Sequence, residues 1–107
     1  MGDLAPGSGE RTATTLVVAG PVTLGEVPRW REALIAAFSE AKAVQIDLAA
    51  SGPWDAAGLQ LLISAIATGR RSGQTVRLVH VPRCFTAITD QAGASGWLAA
   101  AVADRLI

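Results

Sequence analysis

Apolar and polar residues alternate over positions 43–48 of this chain, and a helical pattern follows about ten positions later. Val44, Ile46 and Leu48 are apolar, while Gln45 and Asp47 between them are polar. Strict alternation of this kind predicts a β-strand with one buried face. After a Ser-Gly-Pro break at positions 51–53, apolar residues recur at the spacing of an amphipathic helix, namely Leu59, Leu62, Ile63 and Ile66. The pattern therefore predicts a strand, a tight loop and a helix from position 56 to about 72.

The same criteria predict the remaining secondary structure. The strands are rich in Thr and Val, the helices carry an apolar stripe, and Gly or Pro separates them. In chain order, the further elements are a strand at 12–19, a short strand at 22–24, a helix at 27–41, a strand at 75–81, a helix from Pro82 to Gly93 and a last helix from Ser95. The order β-β-α-β-α-β-α-α predicts an α/β fold with a small, mostly parallel sheet and helices packed on it.

Particular residues are predicted to cap these helices or to face the core. Thr23, with Glu26 three positions later, fits a capping box for the first helix. Ser95 can cap the last helix, and Gly73 is expected to end the one before the 75–81 strand. Trp97 is expected to cover an edge of the sheet. The remaining inward-facing residues of the first, third and fourth helices are predicted to be Val27, Trp30, Leu34, Ala37, Phe38, Ala41, Phe85, Ile88, Ala92, Leu98, Val102 and Leu106.

Length and charge limit the kinds of partner. The chain has 107 residues, the size of one domain, and its nine basic residues balance nine acidic ones. A neutral chain is not typical of proteins that bind nucleic acid or anionic membranes. No apolar run is long enough for membrane insertion, and the N-terminus lacks the features of a signal peptide. We therefore expect a cytoplasmic protein with a disordered tail at residues 1–10 and one domain at residues 11–107.

Reactive side chains are scarce. The chain has one cysteine, Cys84, and one histidine, His80, and it contains no phosphate-binding or hydrolase motif. Cys84 is interpreted as a small buried hydrophobic residue, and His80 as a structural histidine on a strand, held by a hydrogen bond. No catalytic residue, metal site or cofactor is predicted, so the chain is not expected to be an enzyme.

The start of the 56–72 helix carries three informative residues. Asp55 is predicted to be its N-cap, because a carboxylate there accepts a backbone N–H and complements the helix dipole. Gly58 lies in the first turn, where it costs the helix about 1 kcal/mol relative to alanine. That cost suggests that a neighbouring backbone or a partner approaches closely. For Trp54 two interpretations stay open: it fills the core beneath the loop, or it is a partly exposed anchor for a partner.

The string Asp-Ala-Ala-Gly-Leu at positions 55–59, after an apolar strand ending in Asp-Leu, resembles the central element of the STAS domain. This is the fold of bacterial anti-sigma factor antagonists and of sulfate-transporter tails, and the resemblance extends over residues 12–93. In that family the loop typically reads Asp-Ser-x-Gly-Leu, and a partner kinase phosphorylates the serine. Ala56 stands at the serine position and has no oxygen to accept phosphate. The nearest hydroxyls, on Ser51 and Ser64, do not occupy that position.

The resemblance implies a STAS-like fold and a non-enzymatic protein-interaction module in bacterial signalling or transcription regulation. Implied partners are an anti-sigma factor with a GHKL-type kinase domain, another ATPase, or a chemotaxis assembly, since some short STAS proteins encoded with chemotaxis genes have a similar string. Two alternatives are a constitutive subunit of a lipid-transport ABC complex and a sensor of a nucleotide or lipid. The oligomeric state stays open. The expected partner-binding residues are Ser51, Gly52, Pro53, Trp54, Asp55, Ala56, Ala57 and Gly58.

Overall fold

The computed structural model of this protein describes residues 11–103. A 3-10 turn, Leu24–Glu26, precedes the first α-helix. The strands and α-helices of this part of the chain are β1 (Arg11–Val17), β2 (Gly20–Val22), α1 (Val27–Glu40), β3 (Ala41–Asp47), β4 (Ser51–Trp54), α2 (Ala56–Arg71), β5 (Thr75–Val79), α3 (Arg83–Gln91) and α4 (Ser95–Ala103).

The strands form two parallel sheets. The larger one has the order β1-β3-β5, and Val44 in its central strand lies opposite Thr14 on one side and Val76 on the other. Parallel neighbours need a long crossover connection, and the chain provides one through α1 and a second through α2. The predicted α/β fold with a mostly parallel sheet and helices packed on it is confirmed.

The second sheet corrects the sequence prediction at both of its strands, because the short strand predicted at 22–24 lies at Gly20–Val22 and β4 was not predicted as a strand. Residues 51–54, predicted as a loop, form the short strand β4, which pairs with β2 and not with the larger sheet. The pairs are Gly20 with Ser51 and Val22 with Trp54. A four-residue strand that contains Gly and Pro carries turn signals, so its local sequence does not distinguish it from a loop. Its pairing is a tertiary interaction with a segment about thirty residues earlier.

The main core lies where α1 and α2 pack on the larger sheet. Val44, Ile46 and Leu48 are fully buried there, as their alternation with polar residues predicts. Trp30 is also buried, and its indole N–H donates a hydrogen bond to the carbonyl oxygen of Pro21. Phe85 of α3 is fully buried, with its ring centroid 6.3 Å from that of Trp97.

Some predictions for helix ends and inward positions are wrong. Thr23 makes no side-chain capping hydrogen bond, because the chain forms a 3-10 turn before α1 begins. Ser95 is the first residue of α4, and its hydroxyl donates to Asp90. Ala92 lies beyond the end of α3 and is exposed, while Thr89 is buried. In α4, Leu98 packs against the core as predicted, but Ala101 is buried and Val102 is exposed, so the inward prediction for Val102 is wrong.

Three predictions fall on parts of the chain outside residues 11–103. The tail predicted at residues 1–10, the end of the domain at residue 107 and the inward position of Leu106 stay predictions. Within the described part of the chain, none of the helices has both the length and the apolar character needed to span a membrane.

Candidate partner-binding site

Asp55 caps α2 and joins it to the turn before α1. Its Oδ1 accepts a hydrogen bond from the backbone N–H of Gly58 at 2.9 Å, as predicted for an N-cap. Its Oδ2 accepts from the backbone N–H of Leu24 at 3.0 Å. The N–H of Gly58 is the largest cause that lowers the pKa of Asp55 from its ordinary value, and the N–H of Leu24 adds to it. One carboxylate therefore sets where α2 begins and holds the 3-10 turn beside it.

Gly58 is required by the packing of β2 against α2. A Cβ added at this glycine would lie 2.0 Å from the carbonyl oxygen of Val22, far inside van der Waals contact. The glycine thus lets a neighbouring backbone approach, which is one of the two reasons considered from sequence. Because Gly58 is buried, its role is to let α2 pack against β2, and it does not itself form part of the surface.

Trp54 belongs to the core, so its interpretation as an exposed anchor is wrong. Only 9% of its surface is exposed, and its ring contacts Phe85 edge-on with the centroids 4.6 Å apart. The indole N–H donates to the Ser51 Oγ at 2.9 Å. Ser51 is itself buried and donates from the same hydroxyl to the carbonyl oxygen of Leu48 at 2.8 Å. The Ser51 hydroxyl is therefore engaged in structural hydrogen bonds and is enclosed within the protein.

The eight predicted partner-binding residues are close together but unequally accessible. Ser51, Trp54 and Gly58 are buried. The remaining five are exposed or half-buried and can form a surface: Gly52, Pro53, Asp55, Ala56 and Ala57. Ala56 is the first residue of α2, so its exposed methyl group lies at the positive end of the helix dipole.

Cys84 is exposed, which corrects the prediction that it is buried. Its thiol donates to the backbone carbonyl oxygen of Ser51 at 3.5 Å. Gly52 has a φ of +129°, and a Cβ added there would lie 2.8 Å from the Cys84 sulfur. The start of α3 thus packs closely on β4.

His80 and Asp47 form a contact that sequence reasoning missed. His80 lies one residue beyond β5 and is exposed, so its predicted place on a strand is wrong, whereas the predicted hydrogen bond is present, with Asp47 as the partner. Its Nδ1 lies 3.3 Å from Oδ1 of Asp47 at the end of β3. Asp47 Oδ1 also accepts from the N–H of Ala49 at 3.0 Å, the largest cause that lowers the pKa of Asp47. Asp47 and His80 lie at the carboxyl ends of two neighbouring parallel strands, β3 and β5, and this placement was the signal in the sequence for a contact between them.

An apolar groove lies between α1 and α2 and was also missed. It has a volume of about 570 Å³. Two of its residues are large, apolar and largely exposed: Leu24 at 71% and Ile35 at 59%. Ile35 lies off the inward stripe of α1, and that departure from the helical pattern was the signal in the sequence. The groove begins beside Ala57, so it adjoins the exposed start of α2.

No group of three or more His, Cys, Asp or Glu side chains within residues 11–103 is arranged to hold a metal ion. Beside this, the start of α2, which is capped by Asp55 and has no hydroxyl at Ala56, adjoins an apolar groove, and both have exposed residues that can contact another molecule.

Comparison with known proteins agrees with this architecture. The family described as "Mlab, STAS domain" matches residues 8–103, and no curated protein sequence matches the chain. Among solved structures, a sulfate transporter family protein from Wolinella succinogenes superimposes with a TM-score of 0.68 at 18% identity, covering 84% of this chain and 75% of its own. The anti-sigma factor antagonist SpoIIAA in its unphosphorylated form gives a TM-score of 0.64 at 12% identity, covering 81% and 77%. Because the family match spans most of the sequence and the fold agrees, this chain belongs to the STAS domain family.

Proposed function

We propose that this protein is a non-enzymatic interaction module, similar to anti-sigma factor antagonists, that contacts a protein partner with the start of α2 and needs no phosphorylation. The observation that supports this proposal most is the exposed methyl group of Ala56 at the capped start of α2. Free N–H groups and the helix dipole would stabilise a phosphate there. Alanine cannot carry one, so binding at this surface is not switched by phosphorylation of that residue.

The reactive side chains are engaged in separate contacts. The Cys84 thiol contacts the carbonyl oxygen of Ser51, while His80 contacts Asp47. Both contacts are explained by the local fold, since each joins neighbouring loops or element ends. A binding role therefore accounts for the surface around α2 without assigning chemistry to these groups.

The partner that we propose is an ATPase-containing protein in the cytoplasm. By family resemblance it is an anti-sigma factor with a GHKL-type kinase domain or another ATPase, and a chemotaxis component is the further partner that the resemblance implies. A second candidate is a constitutive subunit of a lipid-transport ABC complex, and the alanine at position 56 favours it because a constitutive subunit needs no phosphorylation switch.

The test is affinity capture from cells of the source organism with wild-type protein and the Ala56→Asp variant. The new carboxylate is favoured by the helix dipole by about 0.3–1 kcal/mol, which repulsion from Asp55 opposes, so the fold should keep its stability. A partner docked over this surface would have to desolvate the added charge, at a cost of several kcal/mol unless it is paired. We expect a stoichiometric ATPase-containing partner with wild type and its loss with the variant.

The matched control is Ala87→Asp, which adds the same charge at an exposed alanine on α3. It should retain the partner. Absence of any stoichiometric protein partner from the wild-type sample, or equal retention by the Ala56→Asp variant, would contradict the proposed function.

A further inference from the structure

The groove between α1 and α2 has an apolar floor and two unlike rims. Its floor is formed by half-buried or buried residues: Val27, Leu34, Phe38, Ala57, Leu61 and Ala65. The α2 rim is polar and uncharged, with Gln60, Ser64 and Thr68 at four-residue spacing. The opposite rim carries the exposed Leu24 and Ile35 with Arg31 between them. This side of the domain therefore exposes a continuous apolar strip framed by polar groups, which is typical of a binding surface.

The groove extends over most of the length of the two helices. A second depression of about 480 Å³ shares Ile35, Phe38 and Thr68 with the first and continues it towards Ser72. At a rise of about 1.5 Å per residue, the stretch from Ala57 in α2 to its C-cap Ser72 is roughly 22 Å long. A segment of about four helical turns matches that length.

Arg31 gives the groove its charge preference. It is the one charged residue among the described residues that line either depression. Its helical neighbours at the three- and four-residue spacings are Val27, Pro28, Leu34 and Ile35, none of which can form an ion pair. Within residues 11–103, Arg31 makes no hydrogen bond or ion pair, whereas Arg29 contacts Glu26 at 3.6 Å. An occupant with a carboxylate opposite Arg31 would supply the missing partner.

The structure of the groove walls favours a helical occupant over an extended peptide or a small ligand. Both flanking elements are α-helices, whose backbone groups are bonded within the helix, so they present no strand edge to an extended peptide. A helical occupant satisfies its own backbone and can pack side-chain ridges between α1 and α2. Exposed residues form both rims, so the groove is too open to enclose a small ligand. Anionic membranes attract clusters of several basic residues, whereas this groove has a single arginine, so a membrane surface is not the expected occupant.

We propose that this groove binds an amphipathic α-helix of a protein partner, with apolar residues along one face and an aspartate or glutamate placed opposite Arg31. The inference deepens the proposed function, because it names the chemistry of the partner segment that docks beside Ala56. Apolar contacts with the floor and with Ile35 supply affinity, and the carboxylate fixes the register of the helix along the groove.

The probe for this proposal is a phage-displayed library of 16-residue peptides on an Ala/Gln background. The positions along one helical face, at i, i+3, i+4, i+7 and i+11, are randomised. Selection against wild-type protein should enrich apolar residues at most of these positions and Asp or Glu at one of them. Selection against the Arg31→Glu variant should enrich Lys or Arg at that same position. Arg83→Glu, a charge reversal at an exposed arginine on α3, should give the wild-type preference.

Titration of the selected peptides then locates their site. Binding should weaken at least about tenfold with Ile35→Asp. It should stay unchanged with Val17→Asp, because Val17 is almost equally exposed, 57% against 59%, and lies outside the groove. A lack of enriched peptides, an acidic position that is independent of Arg31, or binding that survives Ile35→Asp would each overturn the inference. A wild-type dimer in sedimentation that dissociates with Ile35→Asp would also overturn it, since a second copy would then fill the groove.

The two proposals can fail separately. If the partner captured from cells is lost with Ala56→Asp but kept with Ile35→Asp, the groove inference falls and the interaction module stands. If wild-type protein captures no partner, the proposed function falls, while the peptide preference of the groove is still measured directly.

Discussion

The two sides of the start of α2 differ in how completely they are packed. On the side of β2 and β4, Gly58 allows direct backbone contact and Trp54 fills the core. On the side of α1, the same helix borders a groove whose rim includes the exposed Leu24 and Ile35. The closed side stabilises the fold, whereas the open side leaves apolar surface for another molecule. Proximity to the family motif therefore does not by itself indicate a contact residue.

The largest expected effect lies on the closed side. Replacing Trp54 with alanine removes a buried ring that contacts Phe85, and we expect the free energy of unfolding to fall by about 3–5 kcal/mol. Urea denaturation followed by circular dichroism measures the change. Trp54→Phe loses the indole N–H but keeps an aromatic ring, and because of that ring it should destabilise the fold less than Trp54→Ala. A loss below about 1 kcal/mol for the alanine variant would show that the ring is not part of the core.

The next effect tests the backbone contact at Gly58. Gly58→Ala places a methyl group against the Val22 carbonyl, and overpacking of this kind costs about 1–3 kcal/mol or more. Gly25→Ala is the matched control, because a Cβ added at Gly25 meets no heavy atom within 4 Å. Thermal melts of the two variants should therefore separate clearly. Equal melting temperatures would mean that β2 and α2 are not in close contact.

The cap gives a smaller, pH-dependent effect. The folded-state pKa of Asp55 is lowered, chiefly by the N–H of Gly58. Stabilisation from this group is thus complete above its unfolded pKa, near 4, and is lost as the pH falls through the lower folded value. Asp55→Asn keeps a capping oxygen but does not titrate, so its melting temperature should fall less steeply below about pH 4 than that of wild type. Asp55→Ala should be less stable than Asp55→Asn at pH 7. Parallel acid profiles for wild type and Asp55→Asn would contradict this role.

The smallest effect is expected on the open side. Ile35→Ser changes an exposed residue of α1 between amino acids of similar helix propensity, so stability should change by no more than about 0.5 kcal/mol. Urea denaturation provides the measurement, with Trp54→Ala as the contrasting variant. A loss comparable to that of a core residue would remove the distinction between the two sides.

Local periodicity predicted most of the fold. Val44, Ile46 and Leu48 are buried as their alternation indicates, and α2 begins at Ala56 beside the predicted Asp55 cap. These features depend on short-range spacing and on hydrogen bonds between near neighbours, which a single sequence contains. The prediction was less accurate in α4, where Ala101 is buried in place of the expected Val102. Small apolar residues follow one another at 98–103, so helical spacing there does not select a single face.

The candidate site was predicted only in part. The position of Ala56 and the cap followed from the motif, but the division of its neighbours into buried and exposed residues did not. Ser51 and Trp54 bond to each other within the core, and Cys84 packs on the outside of β4. The groove between α1 and α2 was not predicted either, because it depends on how two helices separated in sequence lie side by side.

The sequence by itself determined the alternation of β3, the amphipathic α2, its aspartate cap and the lack of a hydroxyl at Ala56. Each of these is a property of residue types at short spacing. Only the tertiary structure decided that β4 pairs with β2, that Gly58 meets the backbone of Val22, and that Leu24 and Ile35 border one groove. These contacts join segments far apart along the chain, and their geometry depends on the packing of the whole domain rather than on the pattern within any one segment.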